Sequence, residues 1–274
     1  MSVLKNTSPK LIVFSAAVII LLIVAALAPL IVPHDPYAQD LSQALLNPNS
    51  AHLLGTDRFG RDIFARVLMG AQTSIYSTLV LVFFTSVIGI FVGVAAAWFG
   101  GIIDSLLMRT SDVFLAFPAL IFAIAVAAVL GGGILNAVLA LVAISWPKYA
   151  RIARSLSLEQ KSELYTSAAK VGGASDFQII FIEILPNIIG PLLVTSVLDI
   201  GTMMMELAAL SFLGLGAQPP IAEWGSMMSD NRNLLQIAPW TVFGPGLAIF
   251  ICIAIFNLFG DSLRDRIDPK RRKK

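Results

Sequence analysis

Long, unbroken apolar runs alternate with shorter polar interruptions along this chain. The first run extends from Leu11 to about Val32, the second from Ser74 to about Phe99, the third from about Val113 to Leu130, and the fourth from Ile134 through Trp146 to Tyr149. A polar segment intervenes before two more runs, from about Ile188 to Leu215 and from about Val242 to Phe259. Runs of roughly 20 continuous apolar residues suit a helix crossing ~30 Å of hydrocarbon, whereas membrane barrels show shorter alternating segments. Backbone polar groups inside a bilayer must be satisfied within the segment itself, which a helix does. The pattern therefore predicts an all-α membrane protein with six transmembrane helices. The first run outlasts the ~7–15-residue core of a secretory signal. It is expected to stay as a membrane helix although Ala26-Leu27-Ala28 resembles a cleavage site.

Composition agrees. With 57% apolar and 13% charged residues and a mean hydropathy of +0.83, too little polar surface exists to cover a water-soluble domain of 274 residues. The placement of charge then orients the chain. With the amino terminus in the cytoplasm, Lys5, Lys10, Arg109, the basic residues from Lys148 to Lys170 and those from Arg264 to Lys274 all lie inside. Of the 19 Lys and Arg residues, only Arg58, Arg61, Arg66 and Arg232 fall outside, the asymmetry that sets topology. Both termini are thus expected in the cytosol of a bacterial or archaeal cell, with the chain multi-pass in the (inner) membrane. Beside a membrane exit, the tail Lys270 to Lys274 reads as a stop-transfer anchor on anionic lipid, and no nucleic-acid partner is expected.

Other chemistry is scarce. The single Cys252 lies within an apolar run and excludes an intrachain disulfide. The two histidines, His34 and His52, share one polar loop, so a multi-His cage inside the membrane is excluded and no metal site is assigned. Neither a Gly-x-x-x-x-Gly-Lys-Ser/Thr phosphate loop nor a His-Glu-x-x-His helix is present, so no catalytic residue is assigned.

The segment between the fourth and fifth runs predicts two short helices. The first spans Glu163 to about Val171, is only ~14 Å long at 1.5 Å per residue, carries Ala168 and Ala169, and is stopped by Gly172-Gly173. The second starts at Ser175, spaced from Gln178 as a capping box, and continues through Phe177, Ile179, Ile180 and Ile182 to Pro186. A helix so short suits a groove in a partner better than a core of its own. Gly89 and Gly93, four apart on one helical face of the second run, permit a close helix contact.

At these residues the chain resembles the inner-membrane permeases of type I ATP-binding-cassette importers. Their signature is Glu-Ala-Ala, three residues, Gly, and about nine residues later Ile-x-Leu-Pro. Here Ser167-Ala168-Ala169, Gly173 and Leu185-Pro186 occupy it, with Ser167 in place of Glu and Glu183 where Ile or His is common. The resemblance narrows to the dipeptide, oligopeptide and nickel subfamily. It does so at Leu54-Gly55-Thr56-Asp57 with Gly60-Arg61-Asp62 and Arg66, at Ser211 to Pro220 with Glu223-Trp224-Gly225, and at Asn257-Leu258-Phe259-Gly260-Asp261 with Leu263-Arg264-Asp265 and Asp268-Pro269.

That resemblance implies an N-terminal helix and external loop over residues 1–70, and a permease core of five transmembrane helices with a cytoplasmic coupling helix over 71–274. It implies a heterodimer with a paralogous permease, two ATPase subunits that carry the ATP and Mg, an extracytoplasmic substrate-binding protein, and no cofactor on this chain. Coupling to the ATPases falls on Glu163, Ser167, Ala168, Ala169, Gly173, Ala174, Leu185 and Pro186. The cargo implied is nickel, another metal chelate or a short peptide, with the Asp199-Ile200-Gly201 and Met-rich stretch leaning toward metal chelates. An ion-coupled secondary transporter is the alternative, against which stand the few intramembrane charges and the lack of a repeat relating the halves.

Within the fifth run, Asp199 and Glu206 are seven apart on one helical face, with Met203 near it. An ionisable group at mid-helix costs roughly 2.5–3.5 kcal/mol on insertion scales and usually faces a bundle interior or a wet cavity. These side chains are expected either along the substrate path or in a buried contact with the partner permease. In the outer loops, Asp57, Arg61 and Trp224 are candidates for docking the binding protein. Local ordering of the loop around Gly55 and Gly60 accounts for the first two equally well.

Overall fold

A computed structural model describes residues 9–267; Lys5, the basic tail from Lys270 and the Asp268-Pro269 pair lie outside them. The described chain is helical: α1 (Pro9–Ile31), α2 (Ile63–Phe99), α3 (Gly101–Leu115), α4 (Ala119–Val129), α5 (Ile134–Lys161), α6 (Leu164–Val171), α7 (Asp176–Gln178), α8 (Leu185–Phe212), α9 (Trp224–Asn231) and α10 (Trp240–Ile267). A wider π-type turn over Ile179–Ile184 joins α7 to α8. Extended pairing among the described residues is limited to an isolated bridge between Thr56 and Asp62.

Among the described residues, four continuous helical stretches are long and apolar enough to cross a bilayer: α1, α2, the unit from Asp176 to Phe212, and α10. A fifth arises if α3 and α4, bent by 90° at their junction, are taken as one span. The count by length and composition therefore stands one short of the expected six. The remaining expected crossing is α5, whose amino-terminal half is apolar but whose carboxyl-terminal half carries Lys148, Arg151, Arg154, Glu159 and Lys161. The expected straight third run is instead the bent pair. Pro118 disfavours helical backbone at the preceding residue and ends α3 before the apolar stretch is complete.

Two boundaries also move. Helix α2 begins at Ile63, well before Ser74, because Asp62 caps it by accepting a hydrogen bond from the Ala65 N–H at 2.7 Å. Helical structure runs from Asp176 through Pro186 without a break. Proline lacks an N–H and crowds the carbonyl four residues back, and the wide turn before it, in which the Leu185 N–H reaches the Ile180 carbonyl, makes the room.

The bundle is held together where glycines remove side chains. A Cβ at Gly89 would sit 2.6 Å from the Trp146 carbonyl oxygen, and one at Gly93 would sit 2.8 Å from the Arg154 backbone nitrogen, so α2 and α5 touch backbone to backbone. Gly260 of α10 similarly admits Leu198 of α8, whose Cγ would lie 3.0 Å from an added Cβ. Around these contacts Ile75, Leu81, Leu141, Met204, Leu207 and Phe256 form the main core, while Val94, Ala153, Ile179, Ile184, Ile188 and Leu192 form a second one near the α6–α7 elbow. Helix α1 stands at the edge, burying only Val18, Ala25 and Ala28 and turning Ile20 and Leu30 outward. Such an apolar outer surface belongs against lipid.

The α2–α5 contact has a direct test. Gly93→Val should destabilise the chain by about 1–3 kcal/mol through overpacking, while Gly190→Ala, whose added Cβ would meet only Ile267 at 3.5 Å, should unfold at or above the wild-type temperature. Thermal unfolding in detergent, followed by a thiol-reactive dye on the single buried Cys252, reads both.

Candidate functional site

At one end of the bundle, α6 is a two-turn helix ended by glycines. Gly172 closes it, Gly173 adopts φ +85°, and the Gly173 and Ala174 N–H groups donate to the Lys170 and Ala169 carbonyls at 3.1 and 3.0 Å. That double bond pattern around a left-handed residue requires glycine and fixes the elbow angle. The next turn starts with the expected capping box between Ser175 and Gln178. Glu163 occupies the N-cap of α6 without a side-chain cap, and Leu185-Pro186 begin α8 just beyond the wide turn.

The two alanines of this joint separate. Ala169 packs against the second core, whereas Ala168 lies outward with Ser167. Around Ala168, Leu164 and Val171 are 85% and 91% exposed. Positions i, i+4 and i+7 share one helical face, so Leu164, Ala168 and Val171 make an uncovered apolar stripe. Thr166 turns the other way, buried and donating to the Gln160 carbonyl at 2.7 Å. Gly172, Gly173, Gln178 and Glu183 line a groove of about 390 Å³ beside the elbow.

Farther into the bundle, α5 carries Lys148, Arg151 and Arg154 three residues apart. Lys148 Nζ lies 2.5 Å from Asp199 Oδ1 on α8, Arg151 pairs with Asp112 on α3, and Arg154 Nε lies 2.5 Å from Asp104 Oδ1, also on α3. Two turns on, Lys161 donates to the Ala97 and Trp98 carbonyls at 3.0 and 2.7 Å, where α2 ends. The Lys148–Asp199 pair borders a cavity of about 540 Å³ that Thr195 and Arg264 also line. Asp199 and Met203 are buried, Glu206 is half-buried with its Oε2 lacking a hydrogen-bond partner, and Met205 points away on the exposed side. Of the two expected surroundings for Asp199, the structure adds a third, an ion pair within its own chain.

The opposite end is built by the loop from Pro33 to Asp62 and by α9. Asp57 is wholly buried, accepting from the Phe59 and Arg61 N–H groups and holding Arg61 Nε at 2.6 Å. Arg66 Nη1 donates to the Pro36 carbonyl at 3.0 Å. Trp224 is buried, only 3% exposed. Its ring lies against Gly70, and its Nε1–H donates to the Val67 carbonyl at 2.9 Å. Glu223 caps α9 by accepting from Gly225 and Ser226, with Ser74 of α2 also donating to it; burial pushes its carboxyl above the ordinary range. In the same loop, one ligand atom from each of His34, His52 and Asp62 falls within 4.8 Å of the others. The side chains of Asp57, Arg61 and Trp224 thus turn inward and shape the surface from beneath.

The residues missed from the sequence are Lys148, Arg151 and Arg154, read there as cytoplasmic charge, and the His34–His52–Asp62 group. The first had a signal: a three-residue cationic period on a helix, matched by aspartates on the neighbouring helices α3 and α8. Lys148→Met should strand the Asp199 carboxylate and lower stability by about 1–3 kcal/mol. Adding Asp199→Leu should recover most of that loss; additive losses in the double-mutant cycle by thermal unfolding would contradict the pairing.

Comparison with known proteins matches these features to one family. Residues 86–273 match the model described as "Binding-protein-dependent transport system inner membrane component", and residues 8–48 match the N-terminal TM domain of oligopeptide transport permease C. The chain is 38% identical to a dipeptide transport system permease protein of Haemophilus influenzae, over 93% of this chain and 89% of that protein. It is 41% identical to a probable D,D-dipeptide transport system permease protein of Escherichia coli, over 96% and 88%. A nickel transport system permease protein of Escherichia coli is 40% identical, over 86% of each. In fold the chain is similar to the inward-facing MetNI methionine ABC transporter, with a TM-score of 0.61 at 20% identity, covering 75% of this chain and 98% of that one. Nothing in these matches supports the ion-coupled alternative. The chain belongs to the binding-protein-dependent transport system inner membrane components, the permease subunits of ABC importers.

Proposed function

We propose that this permease imports short peptides or metal chelates, nickel complexes among them, and that α6 is the lever through which ATPase subunits drive it. The observation that carries the coupling assignment is the uncovered Leu164–Ala168–Val171 stripe next to the Gly173 elbow. An apolar stripe with no cover in its own chain, at the end of the bundle where the α5 cations gather, fits a groove in a partner. Glu163 and Ser167 border that stripe, and Ala169, Ala174, Leu185 and Pro186 tie the elbow to α8.

In this reading the chain pairs with a paralogous permease, two ATPases hold the ATP and Mg, and a binding protein delivers cargo from outside. Both termini face the cytosol. Residues 1–70 form the added helix and loop, and 71–274 the core. Closure of the ATPases carries α6 with it. Moving a two-state transporter from 1:99 to 99:1 takes about 5.5 kcal/mol of differential binding, so the joint must transmit force without bending. The glycine-capped elbow and the unbroken helix from Asp176 to Phe212 supply that stiffness. Motion reaches Lys148–Asp199 first, and then Met203 and Glu206 along the same helix. We assign those groups to the path, where charged termini of a peptide or a chelate find partners. Asp57, Arg61 and Trp224 hold the outer surface in the shape that the binding protein meets.

The relatives transport dipeptides, D,D-dipeptides and nickel by name, which supports the cargo class. Calorimetry of the partner binding protein with nickel, nickel chelates and dipeptides separates them.

Leu164→Asp with Val171→Asp should leave the chain folded, since both positions are exposed, yet cut ATP-driven uptake in vesicles at least tenfold. Gly173→Pro should uncouple ATP hydrolysis from uptake while leaving membrane insertion intact, because proline cannot adopt the positive φ of the elbow. Normal uptake by these variants would remove α6 from the coupling route.

A further inference from the structure

The hydrogen bonds around His52 in the outer loop leave one contact that neutral groups cannot satisfy. Gln43 Nε2 donates to Asp40 Oδ2 at 2.9 Å, which fixes its amide so that Oε1 faces His52 Nε2 at 2.8 Å. Nε2 must therefore carry the hydrogen, and a neutral imidazole has only one. Its Nδ1 lone pair then faces Asp62 Oδ2 at 2.7 Å. Two acceptors meet there. Asp62 cannot turn away, because its other oxygen caps α2 through the Ala65 N–H at 2.7 Å and the side chain is 3% exposed. A second imidazole, His34 Nδ1, stands 3.4 Å from the same Oδ2.

We propose that His34, His52 and Asp62 bind a divalent first-row transition metal, with Zn²⁺ the natural probe. A cation shared by the three donors resolves the facing lone pairs. A tetrahedral ion with bonds of ~2.0–2.1 Å separates its donors by about 3.3 Å. The His34–Asp62 separation of 3.4 Å already fits. The His52–Asp62 separation opens by about 0.6 Å on the same geometry. Gln43 supplies what a metal-bound imidazole ordinarily has, an acceptor on its other N–H. Two imidazoles and one carboxylate are a donor set for Zn²⁺, Ni²⁺ or Cu²⁺ rather than Mg²⁺ or Ca²⁺. His34 follows the end of α1 and Asp62 is the cap of α2, so the ion clasps two membrane helices at the end of the bundle away from α6.

The test uses the full chain, purified without a polyhistidine tag, freed of metal with a chelator, and titrated with Zn²⁺ by calorimetry. One site per chain with a micromolar or tighter dissociation constant is expected. His34→Ala should weaken it at least tenfold, Gln43→Leu about tenfold, and His34→Ala with His52→Gln should abolish it. X-ray absorption of the loaded chain should show two imidazoles. The chain has only these two histidines, so undiminished binding by the double variant, or no saturable binding by wild type, would overturn the site and leave a protonated His52 bonded to Asp62. The His34 side chain is 43% exposed, so His34→Ala keeps the test decisive if the double variant does not fold.

Discussion

The backbone contact of α2 with α5 is the constraint on which the other placements rest. Gly89 and Gly93 let α2 lie directly on the α5 backbone at Trp146, Ala150 and Arg154. Dispersion across such a contact is large because many atom pairs sit at optimal distance, and in lipid it replaces the hydrophobic driving force that water would provide. Once α5 lies there, its cations have fixed directions. Lys148 reaches α8, Arg151 and Arg154 reach α3, and Lys161 closes the end of α2. The helix whose carboxyl-terminal half is charged is the one to which its neighbours are tied by charge.

That arrangement gives the two ends of the bundle different characters. At the α6 end, apolar side chains remain uncovered and the cap is a single glycine conformation, so the surface is prepared for a partner and the angle behind it is set. At the other end, polar groups close on one another. Asp57 holds Arg61 within the loop, Trp240 Nε1 donates to the Thr56 carbonyl at 3.2 Å and ties the loop to α10, and Glu223 with Ser74 ties α9 to α2. Helix α2, ~55 Å long at 1.5 Å per residue, spans both ends, so a displacement at one is carried to the other through a single element.

Much of this was legible in the sequence for physical reasons. Apolar run length fixed the helical class, Gly89 and Gly93 announced the close pair, and Ser175 with Gln178 announced the capping box. Proline was misjudged twice. Pro118 bends the third run by a right angle, which hydropathy averaging hides, and Pro186 does not stop the helix because the preceding turn widens. The pairing of Lys148 with Asp199 was illegible because it depends on which residues of α5 and α8 face each other. The approach of His34 to His52 and Asp62 depends on how a loop returns to the head of a helix, and no local period encodes that. Glu183, which departs from the family pattern, lies on the elbow groove, where it changes the lining and not the backbone.

Central to the account is that force enters through the exposed face of α6. The most direct measurement places a single cysteine at Val171, in a chain whose Cys252 is replaced by serine, and crosslinks the assembled importer in membranes with and without ATP. The account predicts a crosslink to the ATPase subunit that changes in yield with nucleotide, and none from a cysteine at Ile20 on the lipid side. A Val171 position that labels from the outer side of the membrane, or that never reaches the ATPase, would contradict it.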